Sequence, residues 1–208
     1  GSTVTGKLSN LQQLKESERE ARRQLILSAT LSLFGKNQIA DVSMRDIAKE
    51  AGVSPALIYR HFNNRDELFV ESFIVKSKEM IDSFEKKLTK SDVLTIEEIG
   101  SQFIHFLIDN PLFFKMMSYF MLDYTLREEH LERFNETIRE LLELFDKGFY
   151  ENGLTEDVRL YSHAFFSALN GIMITFHHYP GRSEKEIQQH IKRLTELISN
   201  LFTSAKAK

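Results

Sequence analysis

The sequence predicts an all-α chain of about nine helices, a three-helix amino-terminal unit followed by a larger helical one. Three observations carry that expectation. Ser or Thr is followed three residues later by Glu or Asp at Ser17 with Glu20, Ser43 with Asp46, Thr95 with Glu98, Thr125 with Glu128, and Ser183 with Glu186. Each pair has the form of a capping box or a near variant, which satisfies the orphan N–H groups of a first helical turn. Apolar residues recur at helical spacing, with no strand-like alternation and no fixed-period repeat. Finally, 17 Phe and only 3 Pro in 208 residues suit packed helices better than turn-dense strands.

The first helix is expected over 17–34, with Ile26, Ala29, Leu33 and Phe34 on one face and Gly35 at its end. Short helices follow over 44–51 and 55–62, then a long one over 65–88, for which Asn64 with Glu67 supplies a cap. The polar stretch 89–92 reads as a boundary. Beyond it the pattern predicts helices over 96–109, 111–122, 128–150, 156–177 and 184–202, punctuated by Pro111, by the turn at 150–153 and by Pro180-Gly181. This divides the chain into a disordered extension over 1–16, opening on a Gly1-Ser2 that reads as a cloning scar, a helix-turn-helix domain over 17–70, and a helical domain over 71–208.

Composition narrows the classes of function. Without Cys there is neither a disulfide framework nor a thiolate metal site, in keeping with a cytoplasmic location. No apolar run reaches the roughly 18–20 residues of a membrane span; the nearest, over 165–176, is interrupted by Ser167, Asn170 and Gly171. The start has no signal-peptide pattern. Net charge is −3, yet residues 1–70 carry 10 Lys and Arg against 8 Asp and Glu, and the remainder 17 against 22. The basic excess is small, and it lies where a local nucleic-acid footprint would need it. No nucleophile-and-base motif and no Gly-rich phosphate loop is present, so neither catalysis nor a cofactor is expected. His177-His178 point about 100° apart on a helix, and no HExxH pattern accompanies them, so no metal site is expected either.

The chemistry concentrates in residues 43–65. Gly52 can adopt the left-handed conformation that stops a helix. Ser54 is an N-cap, and Pro55 stands at the first helical position, where a missing N–H costs nothing. Ile47, Ala48, Val53 and Ile58 are spaced to form the small core between two helices meeting at a sharp angle. This geometry lays a second helix in the major groove of duplex DNA. Ser43 and Arg45 then lie near a phosphate, Tyr59 and His61 reach phosphate oxygens, and Arg65 adds its charge to the positive end of the next helix. Such contacts position the protein; reading falls to Pro55, Ala56, Leu57 and Arg60, the apolar ones against thymine methyls. Arg60 pairs either with a guanine edge or with phosphate.

These residues resemble the TetR family of bacterial transcriptional regulators. The matching positions are Phe34-Gly35, Ser43-x-Arg45-Asp46-Ile47-Ala48, Ala51-Gly52-Val53-Ser54, and Tyr59-x-His61-Phe62-x-x-Arg65-x-x-Leu68-Phe69, within residues 21–70. The family usually has Lys where Arg65 stands, and often Lys or Gly where this reading helix opens with Pro55-Ala56. The resemblance implies a regulator, in the main a repressor, that binds a palindromic operator as a homodimer through its last two helices and is released by a small apolar or aromatic effector. The sequence permits that pairing: Phe165, Leu169, Ile172 and Phe176 form one apolar stripe, and Ile187, Ile191, Leu194, Ile198 and Leu201 another. The long fourth helix would link the two halves as a lever. A cavity implied in the second half would draw on Phe103, Phe106, Phe114, Met117, Phe120, Met121, Tyr124, Phe145, Phe166, Asn170 and Met173, although the same residues serve equally well as ordinary core. Asn170, polar in an apolar run, either caps a buried hydrogen-bond network or orients a ligand. The other reading kept open is a DNA-binding adaptor or chromosome-organising protein controlled by a protein partner.

Overall fold

The computed structural model describes residues 2–90, 94–122 and 126–204, with side chains from residue 9 onward. Among these residues the regular structure is helical: α1 (Ser2–Lys36), a 3-10 turn (Ile39–Asp41), α2 (Met44–Ala51), α3 (Pro55–His61), α4 (Arg65–Leu88), α5 (Ile96–Asp109), α6 (Pro111–Leu122), α7 (Glu128–Glu151), α8 (Val158–Phe176) and α9 (Glu184–Thr203). None of them is long and apolar enough to cross a membrane. Four expected caps form as the spacing requires. The hydroxyls of Ser43, Thr95 and Ser183 accept from the N–H groups of Asp46, Glu98 and Glu186, and Asn64 Oδ1 accepts from the Glu67 N–H at 2.8 Å. The pair at Thr125 lies outside the described residues.

The largest departure from expectation is at the start. The first helix does not begin near Ser17 but continues back to Ser2. Between Lys7 and Glu16 no Gly or Pro interrupts a run rich in Leu, Gln and Lys, all good helix formers. A Ser-x-x-Glu pattern inside such a run is helix interior rather than cap.

The chain divides into two compact units, Gly1–Val75 with Lys115–Leu131, and Lys76–Phe114 with Glu132–Lys208. In the first, Ile26, Phe34, Ile39, Val42, Ile47, Ile58, Phe62 and Phe69 are buried, and the rings of Phe34 and Phe69 meet edge to face at 4.7 Å. Residues from the second segment complete this core: Phe120 packs on Phe73 at 5.5 Å, and Met116 and Met117 are fully buried. Lys115 donates through Nζ to the carbonyls of Phe34 at 2.7 Å and Asn37 at 2.6 Å, so its ammonium satisfies carbonyl groups at and just beyond the α1 terminus.

The second unit is built on phenylalanine. Phe84, Phe103, Phe106, Phe145, Phe165 and Phe166 form a continuous cluster with ring centroids 5.3–6.3 Å apart, mostly edge to face or tilted. Helices come unusually close at two glycines. A Cβ on Gly100 would sit 2.8 Å from both Phe165 Cζ and Ser199 Oγ, and one on Gly148 would overlap Ile99. A bidentate pair ties α7 to α8, with Arg159 Nε and Nη2 donating to the Asp146 carboxylate at 2.9 and 2.6 Å.

Candidate nucleic-acid interface

The interface rests on two short helices held at a fixed angle by local chemistry. Ser43 Oγ accepts from the Asp46 N–H at 3.1 Å, and the Asp46 carboxylate accepts from the Ser43 N–H at 3.0 Å. That reciprocal box closes the first turn of α2 and, through the backbone bond first and the hydroxyl second, holds the Asp46 carboxyl below its ordinary range. At the other end Gly52 takes φ 69°, ψ 32°. The Val53 N–H donates back to Ala48 O at 3.0 Å and the Gly52 N–H to Lys49 O at 3.3 Å, a Schellman closure. The chain re-enters helix at Ser54, whose hydroxyl accepts from the Leu57 N–H at 3.2 Å, with Pro55 in the first turn. Ile47, Ala48 and Ile58 are buried between α2 and α3, and Val53 is half-buried. The helix-turn-helix geometry expected of this segment is therefore present.

The outer face of α3 carries the expected readers. Pro55, Ala56 and Arg60 are exposed, Leu57 is half-buried, and Tyr59 stands out of the surface at 53% exposure, high for a ring of its size. Ser43, Arg45 and Ser54 are exposed beside them. His61 is half-covered, and partial burial pushes its imidazole pKa down, helped by the positive charges of Arg19, Arg23 and Arg22 and opposed by Glu20. Arg65 has a further function that its residue type did not reveal. Its Nε donates to Val42 O at 2.9 Å, its Nη2 to Ile39 O at 3.1 Å and Ala40 O at 2.7 Å, and its guanidinium lies 4.5 Å from the Phe69 ring centroid. Arg65 thus clamps the start of α4 to the turn that precedes α2. A long cation four residues before an aromatic would have been the only hint of it.

The residues proposed to line a cavity separate. Phe103, Phe106, Phe145 and Phe166 are in the phenylalanine cluster of the second unit, buried against one another. Met117 and Phe120 are in the core of the first. Phe114 packs on the His177 ring at 5.5 Å, Met121 is exposed, and Tyr124 lies outside the described residues. Met173 is at the floor of a surface groove of about 360 Å³, with Leu107, Pro111, Ile187 and Ile191, rimmed by His177, His178 and Glu184. Asn170 is 7% exposed; its Nδ2 donates to Phe166 O at 2.9 Å, while its Oδ1 is buried with no hydrogen-bond partner. The rings of His177 and His178, just past the end of α8 at Phe176, are 3.7 Å apart. No group of three or more His, Asp or Glu suited to a metal ion occurs among the described residues.

Of the stripes expected to pair two chains, Phe165, Leu169, Ile172 and Ile191 are buried within the second unit, Phe176, Ile187, Leu194 and Ile198 are half-buried, and Leu201 is exposed. On the same two helices, Leu160, Ile174, Leu197 and Leu201 are 57–66% exposed. The exposed face of α8 runs through Leu160, His163, Ala164, Ser167, Gly171 and Ile174 without a Lys, Arg, Asp or Glu.

Residues 26–71 match the family model of bacterial regulatory proteins of the tetR family. The structure is similar to the transcriptional regulator FadR from Bacillus subtilis in complex with stearoyl-CoA, with 20% identity and a TM-score of 0.67 over 88% of this chain and 99% of that one. The fatty acid degradation regulator FadR from Bacillus halodurans matches at 18% identity and a TM-score of 0.66, over 88% and 95%. A TetR family transcription regulator from Marinobacter aquaeolei VT8 matches at 19% and 0.60, over 91% and 97%. At these identities the likeness speaks for the fold.

Proposed function

We propose that this chain, a transcriptional regulator of the tetR family by its helix-turn-helix module, acts as a repressor that binds a palindromic operator as a homodimer and is released by an effector. One observation carries the reading above the others: a short α3, capped at Ser54 and stopped just past His61, presents Ala56, Tyr59 and Arg60 outward from a rigid base. Ser43, Arg45, Ser54, Tyr59 and His61 position the module on phosphates; Pro55, Ala56, Leu57 and Arg60 read bases. Arg65 contributes by fixing the turn before α2. A reading helix so poor in polar side chains leans on methyl contacts and DNA shape. The uncharged exposed face of α8, with Leu197 and Leu201 of α9, supports pairing of two chains, which doubles the few contacts one module makes.

For the effector, an apolar chain with a polar end is the class favoured. The fold neighbour in complex with stearoyl-CoA supports it, as do the Phe- and Met-rich interior and the buried, unpartnered Asn170 Oδ1, suited to orienting a polar group. A specific observation favours the other reading, a regulator controlled by a protein partner: the rings of Phe84, Phe103, Phe106, Phe145 and Phe166 fill the middle of the second unit.

The test is selection of duplexes from a random library by the full chain. A two-fold symmetric site with half-sites about one helical turn apart is expected; equal affinity for all duplexes defeats the reading. Stearoyl-CoA added to the selected complex is expected to release it. A complex indifferent to acyl-CoA and free fatty acids points to the protein partner.

A further inference from the structure

We propose that α1 carries a second DNA-backbone contact, made by Arg19 and Arg22 with Lys15 one turn further out, which extends the footprint beyond the helix-turn-helix. The inference rests on the reading of α3 as the DNA-facing helix. The residues lie outside the family module, whose match begins at residue 26. They are in the part of α1 that runs on as unbroken helix to Ser2.

Helix geometry sets the arrangement. Lys15, Arg19 and Arg23 follow one another at four-residue steps, and Arg22 lies beside Arg19, so the four cations share an arc of roughly 100° along about 12 Å of helix. Arg23 fixes where that arc faces. Its Nη2 pairs with Glu71 Oε2 at 2.9 Å, and its guanidinium lies 4.8 Å from the Phe62 ring centroid, at the end of α3. One turn earlier, Arg19 lines an open hollow with Glu16, Glu20, Arg23 and His61. The cations of α1 thus flank the very histidine that ends the DNA-facing helix, and their field at His61 is strong enough to help lower its pKa.

The acidic residues nearby do not cancel this stripe at contact distance. Glu20 accepts from Gln24 Nε2 at 2.9 Å. Glu16 and Glu18 flank the stripe, yet neither Arg19 nor Arg22 is in an ion pair among the described residues, and both are exposed. Two free guanidiniums next to a phosphate-facing imidazole suit a polyanion with regularly spaced charges. An acidic protein surface would have no reason to need His61 and Tyr59 at its edge.

The test is titration of the full chain against a labelled random-sequence duplex of about 40 bp across a salt series, comparing the wild type with R19A/R22A. Each phosphate contact adds about 0.9 to the slope of log affinity against log salt. The double variant is therefore expected to lose nearly 2 from that slope per bound protomer and to bind roughly tenfold more weakly at low salt, with R19K/R22K restoring most of it. Unchanged thermal melting separates this from damage to the fold. A double variant that binds with wild-type affinity and slope, while Y59F binds less tightly, overturns the second contact and leaves the reading of α3 standing. A wild type that binds no duplex overturns both.

Discussion

The guanidinium of Arg65 donates through Nε to the carbonyl oxygen of Val42 at 2.9 Å, across 23 residues of sequence. With the bonds from Nη2 to Ile39 and Ala40, it fixes the loop from which α2 starts. Hydrogen bonds to a charged donor are each worth about 1.5–3 kcal/mol, and a cation over an aromatic ring adds about 0.5–1. Arg65→Ala is expected to destabilise the chain by about 2–3 kcal/mol in a denaturant titration and to weaken DNA binding through misplacement of α2. Arg65→Lys keeps the charge but not the fork, and should fall between. An Arg65→Ala chain of wild-type stability with weakened DNA binding would mean that the residue acts on phosphate directly.

Tyr59 and Arg60 are neighbours on α3 with different work to do. Tyr59→Phe removes one hydroxyl from an exposed ring, so affinity should drop by a similar factor, about two- to tenfold, for every duplex tested. Arg60→Ala is expected to cost about 1–3 kcal/mol at one base pair of the selected site and little elsewhere. Competition binding against single-base variants of the site decides it. A uniform loss moves Arg60 to the phosphate-holding group.

The helix-turn-helix was legible because its signals are local. Ser43 with Asp46, the left-handed Gly52, and Ser54-Pro55 each use a side chain or backbone freedom acting within four residues. What could not be read depends on distant partners or on a choice between faces. Arg65 and Lys115 bond to backbone carbonyls, which every residue has and which leave no mark in the sequence. The Ser17 and Glu20 spacing satisfies a cap pattern, yet α1 passes straight through it. In α8 the only Lys, Arg, Asp or Glu is Arg159, so apolar periodicity could not say whether Phe165 and Leu169 or Leu160 and Ile174 would face the core. All the cavity candidates but Asn170 are large, mainly apolar side chains of the second half of the chain, a type that lines a cavity and packs a ring cluster equally well.

Gly100 shows how tight that packing is. Helix propensity alone favours Ala over Gly by about 1 kcal/mol. At Gly100 the added methyl would meet the rigid Phe165 ring and the buried Ser199 hydroxyl, each at 2.8 Å. Overpacking of this kind costs about 1–3 kcal/mol, so a net loss of about 1–2 kcal/mol is expected for Gly100→Ala. A variant more stable than the wild type would mean that Phe165 has room to swing aside.

The exposed face of α8 gives a direct test of pairing. Leu197 and Leu201 stand one helical turn apart on α9, Leu160 and Ile174 stand about four turns apart on α8, and the small residues Ala164, Ser167 and Gly171 between them leave space for a close helix. Leu197→Glu with Ile174→Glu is expected to turn a dimer into a monomer in sedimentation equilibrium, leave the melting of the monomer little changed, and weaken operator binding at least tenfold as the second half-site is lost. A double variant that stays dimeric would move the interface elsewhere.

Asn170 decides between effector and partner control. Its Nδ2 is used by Phe166 O, but its Oδ1 is buried without a partner, a condition that costs about 1–3 kcal/mol in a protein interior. Asn170→Leu keeps the approximate volume and removes the unpaired oxygen. If the oxygen is kept for a ligand's donor group, the variant should be as stable as the wild type or about 1 kcal/mol more stable, bind operator normally, and no longer respond to an acyl-chain effector. Thermal melting, operator titration and effector release on the same preparation separate these quantities. If Asn170→Leu loses 2 kcal/mol or more and still responds to the effector, the amide belongs to the architecture of α8. The polar end of any ligand would then have to be held by other groups, of which His177 and Glu184 at the rim of the Met173 groove are the first to test.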